Sequence, residues 1–407
     1  MNVGKIIKYY REKVNLTQEQ LGSGICSVTH ISKIERGITE YSSEITTLLA
    51  NRLGINIQVE VERLKGIEKQ LHRLHNAIIM QKLEEAEATL NELEALSILF
   101  VSDYRKQFDL LKARFFLLQG NVAKAKKLIF QIEKFQSKLP AYESNLLKHV
   151  LGIYYITKKE FIKAIEILKS INNDHYKNHE FYYNLAYSYH SIDSKILAYY
   201  YAEKALEYFK IMNNFVRIID TETLMLVQIG DNEYLNFQET VARYESLIQT
   251  CETCKFDDKK SKLLHNWAYN HYRRKELIDA QQLYFEAMQC CEKYSSLFLL
   301  SFEGYIRTSF EARLLEKEEL IGLAHEGITI AKELNELLFK ILFTMLIYEI
   351  EDNSKLYPFI YEKAIPFFKE NRLFWLSEQY EKRLFSHYTK TQQIEKAFGI
   401  AQSLIKI

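Results

Sequence analysis

At 407 residues, 47% hydrophobic and 26% charged, the chain is too long for one compact domain and too apolar to be disordered. Its 54 basic and 53 acidic side chains leave a net charge of +1, which excludes a general polyanion binder and confines any DNA affinity to a local patch. Only 3 prolines and 13 glycines occur, so few breakers interrupt the chain and long helices joined by short turns are expected.

Ile6, Ile7 and Tyr10 are spaced to bury one face of a first helix, which Asn15-Leu16 ends. Thr17 is a good N-cap for a second helix, with Gln20 three residues on as in a capping box. Leu21 faces the core, Gly22-Ser23-Gly24 makes a turn, and Ile25 tucks back inside. Ser27 can cap a third helix, in which Val28, Ile31 and Ile34 fall at i, i+3 and i+6 as one buried stripe. The other face carries Thr29, His30, Ser32, Lys33 and Arg36, and Gly37 is a natural stop. A further helix is expected from about Ser42 to Leu53, with Ile45, Leu48, Leu49 and Leu53 inward and Gly54 ending it.

The segment Leu16–Gly37, LTQEQLGSGICSVTHISKIERG, resembles the Xre-type helix-turn-helix of phage-repressor-like regulators. Such a fold places its third helix in the DNA major groove. The resemblance implies that Gln18 bonds a phosphate, that Ser27, Thr29, His30 and Lys33 read bases, and that Arg36 lies near the DNA backbone. Gly22 departs from that family, which usually has alanine at this helix crossing. Taken singly, Thr29, His30 or Lys33 reads as the solvated face of a small bundle, and only the whole motif points to DNA. Residues 1–37 hold six cations (Lys5, Lys8, Arg11, Lys13, Lys33, Arg36) against Glu12, Glu19 and Glu35, a net +3. That excess is modest, so tight binding is expected to need two heads on a two-fold-symmetric operator.

Residues Ile55–Glu68 read as a connector entering a helix by about Val59. Beyond it a two-helix unit recurs, in Leu151–Ile171, Leu185–Leu206 and Trp267–Met288. Aligned on Gly152, Ala186 and Ala268, each has an alanine twelve residues later: Ala164, Ala198 and Ala280. Weaker copies keep the twelve-residue step from Leu74 to Ala86, Ala113 to Ala125 and Phe385 to Ala397. This resembles the tetratricopeptide repeat, in which small residues let paired helices cross closely. Residues 300–375 are helical but fit the pattern poorly, and Pro358 and Pro366 interrupt them. The expected fold is all-α. A helix-turn-helix domain spans 1–56, a linker helix 57–70, and a tetratricopeptide-repeat superhelix of eight or nine helix pairs 71–407.

The first helices of such pairs line a concave face where an extended ligand would lie. They supply Asn184, Tyr187 and His190 in one repeat, and Asn266, Tyr269, Asn270 and Arg273 in another. Asparagine both donates and accepts, so it can clamp a peptide backbone; tyrosine adds apolar area with a polar tip. Arg114, Arg217 and Arg273 are candidate partners for a carboxylate. Each is equally open to a role in holding neighbouring turns.

Head and body together resemble the peptide-pheromone receptors of Gram-positive bacteria (Rap, NprR, PlcR and PrgX relatives), and among them the NprR type. The resemblance implies a cytoplasmic quorum-sensing transcription regulator, a homodimer or higher homo-oligomer. Its body would bind a short re-imported signalling peptide and so change oligomeric state or head arrangement. An asparagine in a similar fragment holds the peptide backbone in Rap relatives; it corresponds here to Asn184 and Asn266. The alternative is a repeat protein that sequesters or dephosphorylates a response-regulator partner, with the head secondary.

Five scattered cysteines do not suggest a disulfide scaffold. Cys251-x-x-Cys254 lacks the second close pair of a zinc site, so no metal is expected. No phosphate loop, nucleophile elbow or paired His/carboxylate motif points to a cofactor or an enzyme. A Rap-like phosphatase activity stays open through the resemblance alone. The run Asp257-Asp258-Lys259-Lys260 reads as a solvated turn. Charged residues break up the first 20 positions, so no secretory signal is expected.

Overall fold

In the computed structural model, residues 3–38, 42–96, 98–99, 102–229 and 237–405 are described. They are helical throughout, with no strand among them, and no helix is long and apolar enough to cross a membrane. The chain divides into two compact units, 1–185 and 186–407.

The first unit opens with the head: α1 (Val3–Lys13), α2 (Gln18–Gly22), α3 (Val28–Arg36) and α4 (Ser43–Arg52). Ile7, Leu21, Ile31, Ile34, Leu49 and Leu53 form its core. Thr17 and Gln20 make the capping box, and Ser27 caps α3 by accepting from the His30 amide at 3.3 Å. Two inward expectations fail. Val28 is 45% exposed, because the first residue of α3 sits before the turn that packs. Leu48 is 46% exposed. At about 100° per residue, Ile45, Leu49 and Leu53 define a stripe whose centre lies roughly 100° from Leu48.

Nine helix hairpins follow among the described residues. In the first unit they are α5 (Ile57–Ile79) with α6 (Leu83–Glu94), α7 (Arg105–Leu118) with α8 (Val122–Glu133), and α9 (Ala141–Thr157) with α10 (Phe161–Lys169). Helix α11 (Phe181–Ser191) crosses into the second unit and precedes α12 (Lys195–Ile211). The second unit continues with α13 (Phe215–Ile229) and α14 (Phe237–Cys254), α15 (Asp257–Arg273) and α16 (Leu277–Gln289), and α17 (Ser296–Glu311) and α18 (Lys317–Glu333). Helix α19 (Leu337–Ile350) pairs with α20 (Leu356–Phe359) and α21 (Ile365–Glu370), which a π-helical turn, Ile360–Ala364, joins across both prolines. Helices α22 (Phe374–Lys390) and α23 (Ile394–Ile405) end the series.

The connector is not a separate element. Helix α5 starts at Ile57, two residues before Val59, because Asn56 caps it by accepting from the Gln58 and Val59 amides. It then runs unbroken past residue 70 as the first helix of the first hairpin. The run Asp257–Lys260 is the first turn of α15, with Lys260 on Glu252 at 2.6 Å and Lys259 on Asp220.

Small residues set the crossings. Ala164, Ala198, Ala280, Ala205 and Ala287 are fully buried. A Cβ added to Gly152 would lie 2.3 Å from Leu168 of the partner helix, so any larger residue there must displace the Leu168 side chain. Helix ends repeat one device. Lys159 takes φ +56°, its amide reaching the Ile156 carbonyl at 2.9 Å and the Glu160 amide the Tyr155 carbonyl at 2.9 Å. That is a Schellman stop. Gln81, Asp193, Lys275, Arg313 and Gln392 repeat it without glycine.

A side chain in the left-handed region costs about 1 kcal/mol. Exposed Lys159→Gly should therefore stabilise the chain, net of glycine's greater unfolded-state entropy, by roughly 0.5 kcal/mol. A raised urea midpoint at unchanged slope is the expected reading.

Candidate DNA-binding head and ligand-binding repeat surface

Ser27, Thr29, His30, Lys33 and Arg36 are all exposed on one side of α3, whose other side is pinned by Ile31 and Ile34. Short polar groups and cations on a rigid helix suit base edges and phosphates. The Arg36 Nε donates to the Ser32 carbonyl at 3.2 Å, which lays its guanidinium along the helix end.

Gln18 is placed differently from a free phosphate ligand. Its amide donates to Glu35 at 2.8 Å. Glu35 is only 5% exposed and is held by both Arg11 Nε at 2.5 Å and a second Arg11 nitrogen at 3.0 Å. Arg11 also reaches the Leu16 carbonyl at 2.8 Å. One buried carboxylate thus ties α1, the start of α2 and α3 together. Arg52 adds a second tie from α4, donating to the Leu21 carbonyl at 2.9 Å and to the Ser23 carbonyl. The sequence reading counted Arg11 and Glu35 only as charge. The signal was there, since Glu35 stands one residue after Ile34 and four after Ile31, on the inward stripe.

The head is also fastened to α5 within the first unit. Lys5 pairs with Asp103, just ahead of α7, and Tyr10 meets α5 itself. Tyr10 lies beside buried Glu60, and burial together with that carboxylate pushes the Tyr10 phenol up to about 12.

In the body, the first-unit residue Asn184 is half-buried, and its amide donates to His149 Nε2 at 2.8 Å. Arg114 is buried and paired with Glu180, so it is no open carboxylate receptor. In the second unit, Tyr187 is exposed and His190 faces the Gln228 amide at 2.9 Å. Arg217 is paired with Asp220 at 3.8 Å. On α15, Asn266, Tyr269 and Arg273 fall at i, i+3 and i+7, one face. Asn266 is half-buried and makes no side-chain hydrogen bond among the described residues, while Tyr269 and Arg273 are exposed. Asn270 turns inward, 8% exposed, with its amide on the buried Tyr244 hydroxyl at 3.2 Å. It is a packing residue that fixes α15 against α14.

Among the described residues no cysteine clusters with His265 or His271: His265 faces Ser301 at 3.2 Å and His271 bonds Glu276 at 2.7 Å. Burial pushes the Cys251 thiol up to about 11. His271, Glu276 and Asp279 bring ligand-type atoms within 4.8 Å of one another, but Arg274 occupies the same Glu276 carboxylate at 3.0 Å.

Residues 7–59 match the helix-turn-helix family HTH_3. The head is a DNA-binding helix-turn-helix domain of that family. The chain is 21% identical over 394 residues to the transcriptional activator NprA of Geobacillus stearothermophilus, covering 93% of this chain and 96% of that protein. The structure of NprR in complex with its cognate peptide NprX matches with a TM-score of 0.67 at 20% identity, over 84% of this chain and 98% of that one. A Rap protein complexed with competence and sporulation factor matches with a TM-score of 0.71 at 16% identity, over 84% and 97%.

In architecture the chain is similar to the NprR and Rap structures. The match to NprA runs through both the head and the body of this chain. Its all-α repeat body has the fold shared by the NprR and Rap structures.

Two outcomes follow from the buried groups. Arg11→Met leaves Glu35 buried without its cation, which costs about 3 kcal/mol. Hydrogen exchange should then show the amides of α2 and α3 losing protection while those of α15 to α19 keep theirs. Burial also holds His75 well below its usual range and His265 down at about 4. Unfolded histidine titrates near about 6.5, so the unfolded chain gains protons first on acidification. Stability is full above that pH and falls below it, by about 1.4 kcal/mol per pH unit for each histidine, levelling off for His265 near about 4. Urea midpoints at about pH 7.5 and about pH 5.5 should differ accordingly. His265→Gln should flatten part of the drop.

Proposed function

We propose that the chain is a cytoplasmic, peptide-controlled transcription regulator. The observation that carries this reading is the joining of a locked DNA-reading helix to a repeat body in one chain. Helix α3 presents Thr29, His30, Lys33 and Arg36 outward while Glu35 fixes it from behind. NprA, similar over nearly the full length of both chains, is a transcriptional activator, and NprR, with the same fold, is seen with a peptide.

The ligand proposed is a short peptide in extended form. Asn266 has amide donors and an acceptor to offer its backbone, and Tyr269 and Arg273 stand on the same face for side chains or a carboxylate. The head carries only a small charge excess, so two heads on one operator are needed for tight binding, and the protein acts as a homo-oligomer. Peptide binding then acts on DNA by changing how heads are paired.

Selection of duplexes from a random pool by the full-length chain tests the head. Enriched duplexes should carry two-fold symmetry. Arg36→Ala should weaken binding across sequences and lower the salt slope by about one, while Thr29→Ala should relax preference at one base position. A pool with no enrichment would overturn the reading. If Thr29, His30 and Lys33 alanines remove DNA binding but leave the cellular phenotype intact, the partner-sequestering alternative takes its place. A panel of short synthetic peptides, read by calorimetry, tests the body. The best binder should lose roughly tenfold in affinity against Asn266→Ala, the loss of one backbone-clamping amide.

A further inference from the structure

A connected line of hydrogen bonds crosses the first unit from α11 to α5. The Asn184 amide donates to His149 Nε2 at 2.8 Å, so that nitrogen carries no proton. The proton is on Nδ1, which donates to the Tyr176 hydroxyl at 2.8 Å. The Asn178 amide donates to the same hydroxyl at 3.4 Å and to His75 Nε2 at 3.0 Å. Arg114 also donates to His75 Nε2, at 2.8 Å. With two donors on Nε2, His75 holds its proton on Nδ1, facing the Tyr142 hydroxyl at 3.2 Å. Arg114 is anchored by Glu180, whose backbone amide donates to the Asn178 carbonyl at 3.1 Å.

Every inner member of this line is buried: His149 and Tyr176 completely, and His75, Asn178, Arg114 and Glu180 nearly so. Each histidine is fixed in one tautomer by the donors around it, and the Tyr176 oxygen accepts from both His149 and Asn178. The loss of one bond therefore unsettles its neighbours. Asn184, at one end, is half-buried on a first helix. His75, at the other, is on α5, the helix that also carries Glu60 against Tyr10 of the head.

We propose that this line is a coupling element: the bonding state of the Asn184 amide sets the order of helix α5, and through it the footing of the head. Drawing the Asn184 donor away leaves His149 Nε2 a buried acceptor without its bond, a loss that is relieved only by rearranging Tyr176 and Asn178. That rearrangement removes a donor from His75. Helix α5 is stiff over its 23 residues, so a change at His75 reaches Glu60. The regulatory meaning rests on reading Asn184 as a ligand-facing residue, whereas the coupling itself belongs to the ligand-free chain.

Hydrogen–deuterium exchange on the full-length chain, with no peptide or DNA added, tests it. Asn184→Ala removes the outer donor, and Tyr176→Phe removes one hydroxyl while keeping the ring volume. Leu168→Ala serves as the control, since it loosens α9 against α10 without touching the line. The expected result is exchange roughly tenfold faster at residues 71–79 of α5 in both line variants, the effect of one lost buried hydrogen bond. The control should quicken α9 and α10 and leave α5 unchanged. The proposal is overturned if α5 is unchanged in either line variant, or if the control quickens it equally. A chain that bound no peptide at all would still give a decisive result here.

Discussion

A carboxylate taken out of water must meet a cation and several donors, or it destabilises the fold that buries it. This chain meets that demand in both units. In the head, Glu35 is closed in by Arg11 and Gln18, which makes one side chain the meeting point of three helices. In the first repeats, Glu180 is closed in by Arg114, which in turn bonds His75. In the second unit the half-buried Glu349 of α19 takes Arg307 from α17 at 3.2 Å and Arg383 from α22 at 2.6 Å. Apolar packing tolerates small slips between helices. These ionic joints do not, because a displaced partner leaves a bare charge inside, and so they fix how neighbouring elements register.

The hairpins obey a different constraint. Each first helix must stop within one residue and turn back, and the left-handed stop followed by a reaching amide does this at nearly every hairpin. Glycine fills that position at residue 120, but lysine, glutamine, aspartate and arginine fill it elsewhere. The repeats therefore carry a small, distributed backbone strain, offset by the burial of the alanine crossings. Inside the crossings, glycines 152, 304 and 327 lie closest to the partner helix, where a Cβ would have to displace Leu168, Tyr284 or Phe343.

Much of this was legible in order along the chain. Capping residues Thr17 and Ser27, the stop at Gly37 and the twelve-residue alanine step each have a local cause, so each could be read without knowing the fold. Val28 and Leu48 could not, because apolar spacing says which residues share a face but not how wide the covered face is. The polar residues of the body were the least legible. Arg114, Asn184 and Asn270 are all on first helices in register with an open surface, yet Arg114 and Asn270 turn inward to partners 66 and 26 residues away. Their roles depend on Glu180 and Tyr244, which no spacing rule connects to them.

By itself, then, the sequence determined the two-part plan: a capped helix-turn-helix with its outward polar face, and a body of paired helices crossing on small residues. These follow from short-range causes, caps, periodicity and side-chain size, that act within a few turns of helix. Only the tertiary structure decided which polar groups are ligands in waiting and which are structural. That choice is made by the partner that folding brings within hydrogen-bond reach, as Glu35 is brought to Gln18 and His149 to Asn184. A donor or acceptor is available to DNA or a ligand only to the extent that the fold has not already satisfied it.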